Sequence, residues 1–363
     1  MKKILSACAV LALFMASCER DANGDLPQPQ EIQVDMSDFY VWTDDYNADA
    51  AKGGNGEHCA TMGHLNEQLR SNPMLEQQMY NIEKQARQFI ASKKPDGTPG
   101  GGNGGGGNDG GGGEDPPVND GLGVIDIPVV VHVIYSNSNE NISDQQINSQ
   151  INVLNEDFNA SNNDRNQVPS EFAGLVADTD FNFILDQVIR VSSSRTSWGT
   201  RDEMKFSTNG GSDAIDPSNK LNIWVCNIGG GILGYAQFPG GNASTDGVVI
   251  SPQYFGTTGF VSAPFDQGRT ATHEVGHWAN LRHIWGDGRC RQDDFVADTP
   301  SSDGPNYGCP SYPTVNCRSN DMTMNYMDYT NDACMYMFSE GQKARMRAIF
   351  APGGPRDGFI TAP

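Results

Sequence analysis

Apolar residues in this chain fall into two patterned regions separated by a stretch that has almost none. In the longer region, Ile127-Pro-Val-Val-Val-His-Val-Ile-Tyr135 is a near-continuous β-branched run, the pattern of a strand buried on both faces. The period then changes: Ile147, Ile151, Leu154 and Phe158 recur at helical spacing within Ile142 to Phe158, with Ser143 as N-cap and Gln146 at the capping-box position. Phe181-Asn-Phe-Ile-Leu continuing through Val188 to Val191, Lys220 to Ile228, Gly234 to Phe238 and Gly247 to Ile250 read as further strands. Thr270 to Leu281 is predicted helical, followed by about 50 irregular residues and a final helix from Ser339 to Phe350. His132 alternates with valines on the first strand and reads as a hydrogen-bonded core histidine.

The shorter region, residues 62–92, also carries apolar residues at helical spacing and predicts one helix or two. Residues 19–56 are polar and read as a tether. Residues 95–123 hold a glycine run and prolines with no Lys or Arg; no core can form there, which makes this a linker and a domain boundary. The part from Val124 to Pro363 is long enough for one substantial core.

Residues 1–18 run Met-Lys-Lys, an apolar stretch from Ile4 to Met15, then Ala16-Ser17-Cys18: a charged start, a short hydrophobic core and small residues before a cleavage point. The core is too short to span a bilayer. Cys18 after Ala-Ser resembles the lipobox of bacterial lipoproteins, in which it would carry the lipid, so the expected location is the outer membrane or cell surface; plain secretion is the alternative, since Met15 stands where Leu is usual. Either route leads out of the cytoplasm and permits disulfides. The net charge of −21 leaves no basic surface for phosphates and excludes nucleic acid as a partner.

The densest chemistry lies in His273-Glu-Val-Gly-His277-Trp-Ala-Asn-Leu-Arg-His283. Two histidines four apart on a helix share a face and can hold one metal ion, and His283 suits a third ligand delivered by a turn. Three neutral nitrogens leave one position open on zinc, the arrangement of a catalytic site, and Glu274 stands where it can take a proton from water at the metal. Cys226 lies in an apolar strand and reads as a small buried hydrophobe. Cys290, Cys309, Cys317 and Cys334 cluster in a Gly/Pro/Asn-rich stretch and read as two disulfides, with a structural zinc site as the alternative. Cys59 stands alone, flanked by His58 and His64, to which no role is assigned.

Together with Asn325-Tyr-Met-Asp-Tyr329, the histidine motif resembles the metzincin clan of zinc peptidases, and within it the pappalysin family with its small bacterial and archaeal members. Ile-Pro-Val-Val-Val-His-Val, Leu-Asn-Ile-Trp-Val and Asp-Asp-Phe-Val-Ala-Asp-Thr-Pro carry the same resemblance. It implies an α/β (α+β) zincin domain over residues 124–363: a twisted mixed five-stranded sheet, a backing helix, an active-site helix and an irregular, disulfide-tied C-terminal part. It further implies that His273, His277 and His283 bind zinc and that Glu274 is the general base. Met327 would form an apolar floor in a turn beneath the metal, and Tyr329 would stabilise the oxyanion. The implied disulfides are Cys290–Cys317 and Cys309–Cys334. Family members also bind calcium in this region, for which Asp293, Asp294, Asp298 and Thr299 offer hard oxygens.

Asp332 corresponds to the acidic residue that gives small family members a preference for Arg or Lys just after the scissile bond; a loop carboxylate or a calcium ligand is the alternative. Residues 19–94 would be a pro-segment whose Cys59 thiolate fills the open zinc position and keeps the enzyme latent, against an unpaired surface thiol. Under that specificity self-processing falls near Arg87, Lys93 or Lys94, since no Arg or Lys occurs between Pro95 and Arg165. One position departs from the family: Asn280 stands where metzincins have Gly, at a turn that demands a left-handed backbone, which Asn tolerates best among non-Gly residues. The expected activity is that of a zinc endopeptidase acting on proteins or peptides. A non-catalytic zinc-containing adhesin, for which Glu274 would be unnecessary, and a zinc hydrolase of non-protein amides are the alternatives.

Overall fold

The computed structural model describes residues 32–43, 59–93 and 119–361. The export-type segment with Cys18, His58 and the glycine run lie outside the described residues. In chain order come α1 (Thr61–Ser71), α2 (Leu75–Ser92), β1 (Ile125–Tyr135), α3 (Asp144–Phe158), β2 (Phe181–Ser192), β3 (Leu221–Val225), β4 (Gly234–Ala236), β5 (Val248–Ile250), α4 (Arg269–Trp278) and α5 (Glu340–Ala348). Sheet order is β2-β1-β3-β5-β4, with β4 antiparallel at one edge and the other pairings parallel. This is the mixed five-stranded sheet of the expected α/β class. Among the described residues, no helix is long and apolar enough to cross a membrane.

β1 is a central strand, paired along both edges, and its two faces are covered by separate clusters, which is why its sequence does not alternate. On one face Val129, Val131, Ile223 and Val248 meet Ile147, Leu154 and Phe158 of α3 and Ala271, Val275 and Trp278 of α4 in the main core. On the other, Ile134, Trp224, Cys226 and Val249 pack with Trp198 and Met204. Burying each large side chain of this kind contributes roughly 1.5–3 kcal/mol. His132 stacks on Trp224 and bonds Ser212 Oγ at 2.8 Å and Asn222 Oδ1 at 2.9 Å; burial pushes it down to about 4, so it is a neutral core histidine.

Several local expectations need revision. Ser143 caps α3 by accepting from Gln146 N, but Gln146 does not return the bond. Its amide instead donates to Pro252 O and Phe255 O and accepts from Phe260 N, holding the loop after β5. The reciprocal capping box forms at α5, between Ser339 and Gln342. Just before Val124, Asp120 pairs with Arg347 of α5 at 2.5 and 2.9 Å, and Arg347 also donates to Gly123 O. Within the supposed tether, Val41 is buried and the Tyr40 hydroxyl donates to Gly286 O and, at 2.7 Å, to Asp293 O, so this strap is packed.

Candidate active site

α4 carries His273 and His277 one turn apart. It ends at Trp278, three residues earlier than the apolar pattern suggests, because the chain closes a Schellman turn: Asn280 N donates to His277 O at 2.9 Å and Leu281 N to Gly276 O at 2.9 Å. Asn280 supplies the left-handed residue that this motif requires, with φ +78°. The turn sends the chain back towards the helix and delivers His283.

Each imidazole is oriented from behind. His273 Nδ1 donates to Tyr326 O at 2.7 Å and His277 Nδ1 to Leu281 O at 2.8 Å, while His283 Nδ1 bonds the Asp287 carboxylate. His283 is also stacked flat on Trp285, with ring centres 4.3 Å apart. Because a carbonyl can only accept, the proton sits on Nδ1 of His273 and His277 and leaves Nε2 as a lone pair. His277 Nε2 lies 3.1 Å from Nε2 of both His273 and His283. Burial and the neighbouring imidazoles hold His277 well below its usual range, so protonation does not relieve the repulsion of these lone pairs. A cation does: tetrahedral zinc at ~2.0–2.1 Å from each nitrogen sets them about 3.3 Å apart. The donor set fits zinc.

Met327 packs against α4 between its two histidines, at Gly276, and the reason for that glycine is visible there. A Cβ on Gly276 would stand 2.5 Å from Met327 Sδ. The segment is fixed by Asp157 of α3, which accepts from Thr272 Oγ1 of α4 at 2.8 Å and Tyr326 OH at 2.9 Å. Tyr329 is buried with its ring centre 4.8 Å from that of His283, and its hydroxyl donates to Cys59 O at 3.4 Å.

Glu274 is fully buried. Its Oε2 accepts from Thr61 Oγ1 at 2.7 Å and Cys59 Sγ at 3.4 Å, and its Oε1 has no hydrogen-bond partner among the described residues. Burial pushes its carboxyl up to about 8. Cys59 Sγ joins the three histidines in one cluster, their ligand atoms all within 4.8 Å of one another. The chain around it lies along β4: Cys59 bridges Gly234 in the parallel sense, Ala60 N donates to Gly234 O, and Ala236 N donates to Thr61 Oγ1.

A small pocket opens beside the cluster, lined among others by Cys59, Thr270, Glu274, Tyr329 and Asp332. Asp332 is buried and its Oδ2 accepts from Gln267 N at 2.9 Å and Arg269 N at 3.2 Å; burial pushes it up to about 7. Cys290–Cys317 and Cys309–Cys334 are bonded, the second within the segment that carries Asp332. Of the calcium candidates, Asp294 and Thr299 meet at 2.8 and 2.9 Å. Asp298 is engaged elsewhere: it accepts from Ser339 Oγ at 2.6 Å and Gly341 N at 2.8 Å at the start of α5. Sequence reasoning missed Asp287, Trp285 and Thr61. A carboxylate four residues after His283 was the one available signal, and no motif marks it.

This geometry, with three buried imidazoles converging on one point, a buried glutamate on the same helix and a methionine packed against that helix, is that of a zinc metallopeptidase of the metzincin class. The Peptidase M43 family model, described as pregnancy-associated plasma protein-A, matches residues 209–351. Extracellular metalloprotease 1 of Coccidioides posadasii (strain C735) is 36% identical, over 62% of this chain and 77% of its own length. Tannerella forsythia mature mirolysin, solved with a cleaved peptide, is 48% identical with a TM-score of 0.64, covering 66% of this chain and 96% of that one. A point mutant of T. forsythia promirolysin covers 84% of this chain and 97% of its own, at 41% identity and a TM-score of 0.70. The chain belongs to the pappalysin family and is a metalloendopeptidase of zymogen type. The greater coverage by the pro-form extends the likeness beyond the catalytic part.

Proposed function

We propose that this is an exported zinc endopeptidase, made latent by residues 19–94 and cutting peptide bonds before Arg or Lys. The observation that carries it is the convergence of His273, His277, His283 and Glu274 with a cysteine from far upstream. His273, His277 and His283 would hold zinc, which when bound would supply Lewis acidity toward the scissile carbonyl and acidify water near neutral pH. Glu274 takes the proton of the attacking water and passes it to the leaving amine. The Tyr329 hydroxyl donates to the developing oxyanion. Gly234 O and Ala236 N on the edge strand, engaged here by residues 60 and 61, bind substrate as an added strand. Met327 supports the imidazoles from below.

Latency follows from the same contacts. Cys59 would be the fourth ligand to zinc in the zymogen, and Thr61 holds Glu274 Oε2. Asp332 beside the pocket favours a guanidinium or ammonium after the cut. Of the candidate processing positions, Arg87 on α2 is paired with Glu83 of the same helix and with Asp38 upstream, which favours Lys93, at the end of that helix, and the adjoining Lys94, which lies outside the described residues. Calcium bound at Asp294 and Thr299 would neutralise a carboxylate that burial and Asp293 hold well above its usual range. The extracellular metalloprotease relatives support export, and lipidation of Cys18 would anchor the enzyme at the cell surface.

The test is peptide-library profiling of the activated enzyme. Cleavage concentrated before Arg and Lys, and reduced for Asp332→Ala, is expected. An unchanged Arg preference in the variant would remove Asp332 from this role.

A further inference from the structure

Residues 33–43 and 59–93 have a core of their own. Val41, Met62, Leu65, Leu69, Leu75 and Met79 form one apolar cluster, and Phe238 is the catalytic-side member that inserts into it. A segment with its own core does not need covalent attachment to keep its shape.

Its docking contacts are spread over separated patches. Cys59 and Thr61 occupy the cleft. Glu83 on α2 forms a two-point ion pair with Arg345 on α5, at 3.0 and 2.7 Å, with both side chains buried. Arg345 also donates to Asn280 O at 2.8 Å, behind the turn that delivers His283. The carbonyl of Tyr40 accepts from Arg282 at 2.6 Å, and the Arg282 guanidinium lies 4.4 Å over the Tyr40 ring. None of these contacts involves the Gly-rich stretch.

We infer that the pro-segment is a non-covalent inhibitor that stays on the catalytic domain after the Gly-rich connection is cut, so that a linker nick leaves the enzyme latent. Release requires a cut inside the pro-segment. The turn between α1 and α2 is where a peptidase reaches it: residues 70–74 are exposed, and a break there divides the small core between two short helices. The inference rests on the zymogen reading of residues 19–94. It adds that activation is governed by destruction of the pro-segment and not by its disconnection.

The experiment uses the full chain in two versions. One carries a recognition site for a specific protease within the glycine run at 101–107; the other carries it between Ser71 and Pro73. After cutting, each is run on gel filtration at micromolar concentration and assayed on a peptide substrate. The linker-cut protein is expected to co-elute with its pro-fragment and to show less than about a tenth of the activity of the turn-cut protein, as a dissociation constant near 10 nM implies. Glu83→Gln in the linker-cut form is expected to raise that constant roughly 30-fold or more, because Arg345 is left buried without a carboxylate. Separation of the fragment from the linker-cut protein, with or without activity, overturns the inference. Co-elution with no activity in either version leaves the non-covalent interface standing and counts against the peptidase reading.

Discussion

Gly276→Ala tests how closely the Met327 turn supports the histidines. In the interior of a helix this change ordinarily stabilises by about 1 kcal/mol. Here the new Cβ would stand 2.5 Å from Met327 Sδ and 3.5 Å from a Phe338 ring carbon. Comfortable carbon contacts lie at ~3.8 Å, so Met327 must withdraw by roughly 1.3 Å. Met327 and Phe338 are both fully buried, and overpacking of this kind costs about 1–3 kcal/mol. The steric cost exceeds the helical gain, for a net loss of about 1 kcal/mol and a fall in melting temperature of roughly 2–4 °C. Turnover should fall as well, because His273 is oriented by Tyr326 O, one residue from Met327. Thermal unfolding of the full chain and kinetics of the activated form measure both effects. Adding Met327→Ala should remove the clash, so the two changes together cost about 1 kcal/mol less than their sum. A Gly276→Ala protein that is stabilised by the ordinary helical increment, with parental turnover, would refute the placement of Met327.

Three further outcomes are expected. Asp332 is pushed up to about 7 by burial, so it loses its charge as pH falls through neutrality. The ratio of kcat/KM for Arg over Leu after the cut should shrink over about pH 8 to 6, and Asp332→Asn should lower and flatten it. Arg345 and Arg87 hold Glu83 down at about 2. Its contribution to docking is full above its ordinary value of 4.5 and lost as pH falls toward 2, worth roughly 3 kcal/mol, and acid titration of the nicked complex should therefore release the pro-segment below about pH 3. Cys309–Cys334 closes a loop with a separation of 25 residues. Opening it with Cys309→Ser and Cys334→Ser should cost about 3–4 kcal/mol by chain entropy, read by denaturant unfolding.

The strands and helices of the catalytic part were legible because each carries a pattern set by its surroundings. β1 is apolar on nearly every position from Ile127 on because it is covered on two faces, and α3 shows a single stripe because it covers one. The turn at Asn280 was legible because a left-handed position leaves few residue choices. The early end of α4 was not, since the apolar residues Trp278, Ala279 and Leu281 remain buried through the turn that ends the helix. What the sequence hid is long-range and aperiodic. Tyr40 meets Gly286 across 246 positions, and Glu83 meets Arg345 across 262. A single polar residue that finds its partner at such a distance leaves no trace in local composition, which is why a packed strap read as a tether. Thr61 was missed for the same reason, since it serves a glutamate from far upstream; Asp287 is local to His283 but lies in an irregular loop where no periodic pattern marks it.

The most direct test of the account is the turnover of activated Glu274→Ala on an Arg-containing peptide, with bound zinc measured on the same sample. The three histidines do not depend on Glu274 for their orientation, so about one zinc per chain should remain while kcat/KM falls by roughly 10³-fold or more. Activity within tenfold of the parent, with zinc in place, would contradict Glu274 as the base and with it the proposed mechanism.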